Sequence, residues 1–237
     1  MKKRGLSILL MLMLFTLAAC TNQSGNTTTP TPESTSETQE EVSDTNEPAG
    51  TAAGERKILV VYFSLPETTD PNNMTEDEEN SAVVVDGEVL GNTQYVAYLI
   101  QDYLNADIFR IEPKTPYPTE HATLIEVANE ELSTGARPAL LAGVENIEQY
   151  DVVFVGYPNW WGDMPMILYT FFEEYDFSGK TIIPFNTHGG SGFSGTISSI
   201  AELAPNATVE RNGYSVSRSV VENCKDDLEQ WLQGLGF

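Results

Sequence analysis

"DVVFVGYPNWWGDMP", residues 151–165, holds two unlike halves, and their junction decides the architecture. Val152 to Val155 form an unbroken apolar run rich in β-branched residues, the pattern of a strand covered on both faces. At Pro158 and Asn159 the run stops, yet Trp160 and Trp161 follow at once, bracketed by Pro, Asn and Gly. A loop that carries two indoles either folds back into the core or covers a flat ligand. The remaining apolar runs extend the first half of this pattern. "KILVVYF" (57–63), "ADIFRIEP" (106–113) and "KTIIPFNT" (180–187) read as buried strands, and "TVERNGYSV" (208–216) as an edge strand. Between them lie helical patterns: 92–104, 119–132 with Thr119 as the cap, 165–175 with Pro165 in the first turn, 195–204 and 219–235. Strands alternating with helices predict an α/β fold, a parallel sheet with helices on both faces in three layers. Five strands fit the doubly wound order 2-1-3-4-5, whose ligands sit beyond the carboxyl ends of the strands where the order reverses. The loops after Phe63, Pro158 and Thr187 are therefore the ones that should build a site.

Each of those loops has suitable chemistry. Ser64 follows the first strand, and Gly91-Asn92-Thr93 opens the helix at 92–104. Hydroxyls and free amides at a helix N-terminus hold a terminal phosphate without a metal or a lysine. Read alone, "GNT" is a plain helix cap. Between its two halves, residues 65–90 carry acidic "TEDEEN" (75–80) and "AVVVDGEVL" (82–90), a hairpin turning on Asp86-Gly87. The third loop, "THGGSGFSG" (187–195), has adjacent glycines that let backbone amides approach a ligand closely.

With these residues in view, "VVYFS … GNTQYVAYLI", "YDVVFVGYPNWWGDMP" and "FSGKTIIPFNTHGGSG" resemble the flavodoxin family over residues 57–237. The resemblance implies a flavodoxin-like three-layer α-β-α sandwich with FMN as cofactor. It implies that Ser64, Gly91, Asn92 and Thr93 receive the phosphate. It implies that Pro158, Asn159, Trp160, Trp161 and Gly162 cover one face of the flavin, with Trp161 the first choice for the stacked indole. Thr187, His188, Gly189, Gly190, Ser191 and Gly192 then meet the pyrimidine edge, and Phe193 is a candidate cover for the second face. Flavodoxins join Ser/Thr and Gly-Asn-Thr in one short loop, so 65–90 stands as an insert. "THGG" is also similar to the corresponding loop of FMN-dependent quinone reductases; His188 is read as positional, and no catalytic residue is assigned.

The flanking sequence places this domain. Lys2, Lys3 and Arg4 precede an apolar stretch too short to span a membrane, the mark of an export signal over 1–20. Leu17-Ala18-Ala19-Cys20 resembles the lipobox of bacterial lipoproteins, which implies lipidation at Cys20. Residues 21–56 are Thr/Ser/Glu/Pro-rich with no aromatic side chain, the composition of a disordered stalk. With Cys20 lipidated, Cys224 has no intrachain disulfide partner, and the two histidines, His121 and His188, are far apart in sequence and suggest no metal site. The formal charge of −23 argues against nucleic acid.

Together these features predict a lipid-anchored FMN electron carrier on the outer face of a bacterial cytoplasmic membrane. Its partners would be redox proteins with basic surfaces or small quinone-like acceptors. An FMN-dependent NAD(P)H:quinone-type reductase and a non-redox ligand-binding lipoprotein are the alternatives.

Overall fold

The computed structural model describes residues 56–237. The export signal, Cys20 and the stalk expected at 21–56 lie outside the described residues, apart from the stalk's last position, Arg56. In chain order the elements are β1 (Ile58–Tyr62), α1 (Glu76–Ser81), β2 (Ala82–Val85), β3 (Glu88–Gly91), α2 (Asn92–Leu104), β4 (Asp107–Arg110) and α3 (His121–Thr134). There follow β5 (Val152–Pro158), α4 (Met166–Glu174), β6 (Thr181–His188), α5 (Thr196–Leu203), β7 (Thr208–Val209), β8 (Tyr214–Ser217) and α6 (Lys225–Gly234).

The central sheet runs β4-β1-β5-β6-β7, with β8 also on β6, and every pairing in it is parallel. Counting β7 and β8 as one interrupted edge strand gives the expected order 2-1-3-4-5. Alternate side chains go to opposite faces, as the pleat demands. Leu59, Val61, Phe63, Val153, Val155 and Tyr157 join one core with residues of α3, α4 and α5. Val60, Tyr62, Val152 and Phe154 join the other, with residues of α2 and α6. Val60, Val61, Val153, Phe154 and Val155 are fully buried, which is why the strands read as unbroken apolar runs rather than as alternating ones.

Three local readings need correction. The edge strand is not continuous: two residues of β6, Ile183 and Pro184, face four on the edge, Glu210 to Gly213. The break falls opposite Pro184, which has no amide hydrogen to offer a ladder. Helix α3 is capped by Glu120 rather than Thr119, because the Glu120 carboxylate accepts from the amides of Ala122 (3.1 Å) and Thr123 (2.8 Å). The terminal helix divides at Cys224 into a 3₁₀ turn (Val221–Asn223) and α6. The acidic 75–80 stretch, given no secondary structure from sequence, starts a helix: Thr75 and Glu78 make a reciprocal capping box that opens α1.

Candidate functional site

The segment 65–90 leaves the sheet after Ser64 and returns through the hairpin β2–β3. Its turn is Asp86-Gly87, both with left-handed backbone (φ 53° and 85°), as a two-residue primed turn requires. β3 ends at Gly91 and α2 begins at the next residue. The return brings Gly91 against Ser64. A Cβ at position 91 would collide with Ser64 Oγ and lie 3.2 Å from Pro66 Cδ, so glycine is required here by close approach and not by φ. The two halves of the expected phosphate loop therefore meet despite 26 intervening residues (65–90).

No side chain caps the first amides of α2; instead Gln94 Oε1 accepts from the Gly91 amide at 3.2 Å. Asn92 Nδ2 donates to the Asn80 carbonyl (2.8 Å), which fixes the amide's orientation, and leaves Asn92 Oδ1 buried with no donor. Thr93, also buried, shares a 2.8 Å hydroxyl–hydroxyl hydrogen bond with Thr187 at the end of β6. Free amides, the positive end of the helix dipole and a buried acceptor in want of a donor suit a phosphate ester with hydroxyls beside it.

The second loop is a tight turn. Trp160 and Asp163 exchange backbone hydrogen bonds (2.8 and 3.0 Å), and Trp161 and Gly162 at the tip have φ 58° and 82°. The two indoles then divide their roles. Trp160 is partly buried and packs edge-on against Phe63 (5.4 Å) and Tyr117 (5.7 Å). Trp161 is 56% exposed and lines the cleft. Left-handed backbone at a bulky residue costs on the order of 1–3 kcal/mol, and such strain persists where the surroundings impose it. Asn159 supplies part of that constraint: its Oδ1 accepts from the Gly162 amide (3.0 Å), and its Nδ2 donates to the Gly192 carbonyl (2.8 Å).

In the third loop His188 Nδ1 accepts from the Gly190 amide at 2.8 Å, so the neutral ring carries its proton on Nε2. Burial lowers the His188 pKa, which favours the same neutral state. Gly192 acts through its carbonyl, which accepts from Asn186 Nδ2 (2.8 Å) as well as from Asn159. The loops are thus cross-linked, first to third through Thr93–Thr187 and second to third through Asn159–Gly192.

Ten of the expected residues line one cleft: Ser64, Asn92 and Thr93; Pro158, Asn159, Trp160 and Trp161; and Thr187, His188 and Gly189. Gly91, Gly162, Gly190, Ser191 and Gly192 lie outside its lining and shape the loops from behind or at their tips. Phe193 does not cover the cleft. It packs into the core beside α5, with Gly213 against its ring. Asp163 is also turned away, accepting from Tyr169 Oη (3.0 Å) and the Met164 amide (2.8 Å).

Sequence reasoning missed the opposite wall. His121, Leu124, Ile125 and Ala128 of α3 line it with Glu67 and Asp77 of the 65–90 segment. His121 Nδ1 meets the Glu67 carboxylate at 2.9 Å, and its Nε2 lies 3.8 Å from Asp77. Burial pushes the Glu67 carboxyl above its ordinary range, and the hydrogen bond from His121 pulls it partly back. The two histidines, 67 positions apart in the chain, face the same cleft. Arg218 also lines it, beside Gly189. Among the described residues no cluster of His, Cys, Asp and Glu could hold a metal ion, and no helix is long and apolar enough to cross a membrane.

Comparison with known proteins agrees with this architecture. A candidate flavoprotein from Bacteroides eggerthii is 26% identical, with a TM-score of 0.58 over 76% of this chain and 98% of its own. One from Bacteroides uniformis is 24% identical, with a TM-score of 0.57 over 75% and 98%. A Lactobacillus acidophilus flavoprotein solved in complex with FMN shares the fold at 16% identity, with a TM-score of 0.50 over 70% and 97%. No curated protein matches the chain. The flavodoxin family model matches residues 81–235, well over half of the sequence. On that match, and with a mostly parallel sheet in flavodoxin-like order, the chain belongs to the flavodoxin family.

Proposed function

We propose that the protein binds FMN and transfers electrons, tethered by lipid at Cys20 to the outer face of a bacterial cytoplasmic membrane. The observation that carries the FMN reading is Trp161: a large indole held in solvent on left-handed backbone at the mouth of a cleft. Nothing in the fold gains from that arrangement, whereas a stacked aromatic ligand does. Ser64, Asn92, Thr93 and the first amides of α2 would receive the phosphate. Asn92 Oδ1 would accept from a ribityl hydroxyl. Bound there, FMN supplies one- and two-electron redox chemistry. Trp161 orients it, Trp160 backs the loop against Phe63, and the third loop meets its polar edge.

The carrier reading rests on charge. Glu76 and Glu79 of α1 are exposed close to the cleft wall, while Glu78 is engaged in the capping box and Asp163 with Tyr169. Electron transfer from a basic donor protein should slow several-fold between 0.01 and 0.1 M salt, as the Debye length falls from about 30 to 10 Å. Neutralising both exposed carboxylates with Glu76→Gln and Glu79→Gln should flatten that dependence. The wall of Leu124, Ile125 and the His121–Glu67 pair favours a second reading, an FMN-dependent reductase of a small quinone-like acceptor. A salt-independent rate together with turnover of NAD(P)H and a quinone would replace the carrier reading with that one.

For the tether, Cys20→Ser should move the protein from the membrane to the soluble fraction, since the 21–56 segment has almost no apolar surface to hold it there. Retention of the variant after a salt wash would show that something else anchors the chain.

A further inference from the structure

Arg218 is the one lysine or arginine that lines the cleft among the described residues. Its place is fixed at the backbone. β8 pairs with β6 through His188↔Ser217, and the Arg218 amide continues the ladder by donating to the His188 carbonyl at 2.9 Å. The hydroxyls of Ser217 and Ser219, on either side of it, hydrogen-bond to each other at 2.9 Å and close the turn. Its side chain lies across Gly189. A Cβ built on Gly189 would stand 3.3 Å from Cζ, 3.4 Å from Nη1 and 3.5 Å from Nε. Three near-equal distances mean that the guanidinium presents its face, not an edge, to the glycine, which leaves its N–H groups pointing outward around the plane.

The chain has 35 acidic against 12 basic residues, and among the described residues most cations find partners. Arg137 pairs with Glu173, Lys225 approaches Glu229, Lys180 donates to the Tyr150 carbonyl and Arg110 to the Ser64 carbonyl. The Arg218 guanidinium has no hydrogen-bond or ion-pair partner among the described residues. Glu79 and Glu222 border the neighbouring groove without pairing with it. An exposed, unpaired guanidinium carried to the rim of a cleft by a fixed backbone is an anion receptor.

Two parts of FMN carry negative charge. The phosphate is charged in every redox state, and its place is the N-terminus of α2, beside Ser64. The pyrimidine edge gains a charge only on reduction, when two electrons and one proton enter the ring and leave one net negative charge at N1 and O2. Arg218 lies with Gly189, in the loop expected at that edge and further along β6 than the Thr187–Thr93 link to the phosphate loop. We infer that Arg218 pairs with the pyrimidine edge of reduced FMN and raises the flavin's reduction potential against the field of an acidic protein. This rests on the FMN reading above and deepens it, because it makes the fully reduced state accessible.

The test compares wild type, Arg218→Gln and Arg218→Lys, each reconstituted with FMN and with riboflavin. Dissociation constants are measured oxidised and after reduction by dithionite, together with the two-electron midpoint potential. In Arg218→Gln, oxidised FMN should bind within about threefold of wild type and reduced FMN at least tenfold more weakly. A tenfold change in that ratio is about 30 mV for a two-electron couple. Riboflavin should show the same redox-dependent loss, and Arg218→Lys should restore most of it. An equal loss in both redox states that disappears with riboflavin would place Arg218 on the phosphate and overturn the inference. Unchanged constants and potential would overturn it too, as a solvated rim residue. Failure of wild type to bind either flavin would instead refute the FMN reading itself.

Discussion

Trp161→Ala is expected to weaken FMN binding by about 1–3 kcal/mol, roughly 5- to 150-fold, with little change in the stability of the unliganded protein. The asymmetry follows from exposure. Trp161 is more than half exposed and contributes little to the core, so what it loses on truncation is contact with the ligand. Trp160→Ala should behave in the opposite way. Its ring packs against Phe63 and Tyr117, and removing it takes contacts from the core and loosens the support of the turn. The loss of folding stability should stay below about 5 kcal/mol, the top of the range for truncating a fully buried Phe or Trp to Ala, because this ring is only partly buried. Titrating the two apoproteins with FMN and melting them in parallel separates the roles. A larger loss of FMN affinity at Trp160 than at Trp161 would show that the stacked indole is the inner one.

Gly91→Val should cost about 1.5–3 kcal/mol of FMN affinity, roughly 10- to 150-fold, the range for losing a hydrogen bond to a charged group. The backbone at 91 (φ −64°) accepts any residue, so strain in the chain is not the cause. The new branches would occupy the space of Ser64 Oγ and press on Pro66, forcing the start of the 65–90 segment away from α2. The site would lose the Ser64 hydroxyl and the closure of the loop together. Riboflavin, which lacks the phosphate, should bind the variant and wild type with nearly equal affinity. An equal loss for both flavins would mean that Gly91 shapes the whole cleft and not its phosphate end.

Much of this site was legible because it is made of chain-local signals. Strands buried on both faces leave unbroken apolar runs, and their carboxyl ends locate the loops. Asp86-Gly87 names its own turn, since few other pairs accept two consecutive left-handed residues. What escaped reading depends on distance or direction. Glu67 and His121 are 54 positions apart, and nothing in either neighbourhood announces that α3 and the 65–90 segment share a wall. Arg218 sits in no motif; only the β6–β8 register brings it to Gly189. Phe193 was placed in the right loop, but loop membership does not say which way a side chain turns. The core took the ring that the cleft was expected to hold. The interrupted edge has a visible cause in Pro184, yet its effect falls on the neighbouring strand, where a reading of one segment at a time does not look.

The central claim is that the cleft is built for a flavin with one terminal phosphate. The apoprotein should be titrated with FMN, riboflavin and FAD under identical conditions, following the flavin's visible absorbance and fluorescence. The account predicts one FMN per chain, weaker binding of riboflavin, and no comparable binding of FAD, because Ser64, Thr93 and the first amides of α2 offer receptors for one terminal phosphate. Binding of FAD as tight as that of FMN, or no flavin bound at all, would contradict it.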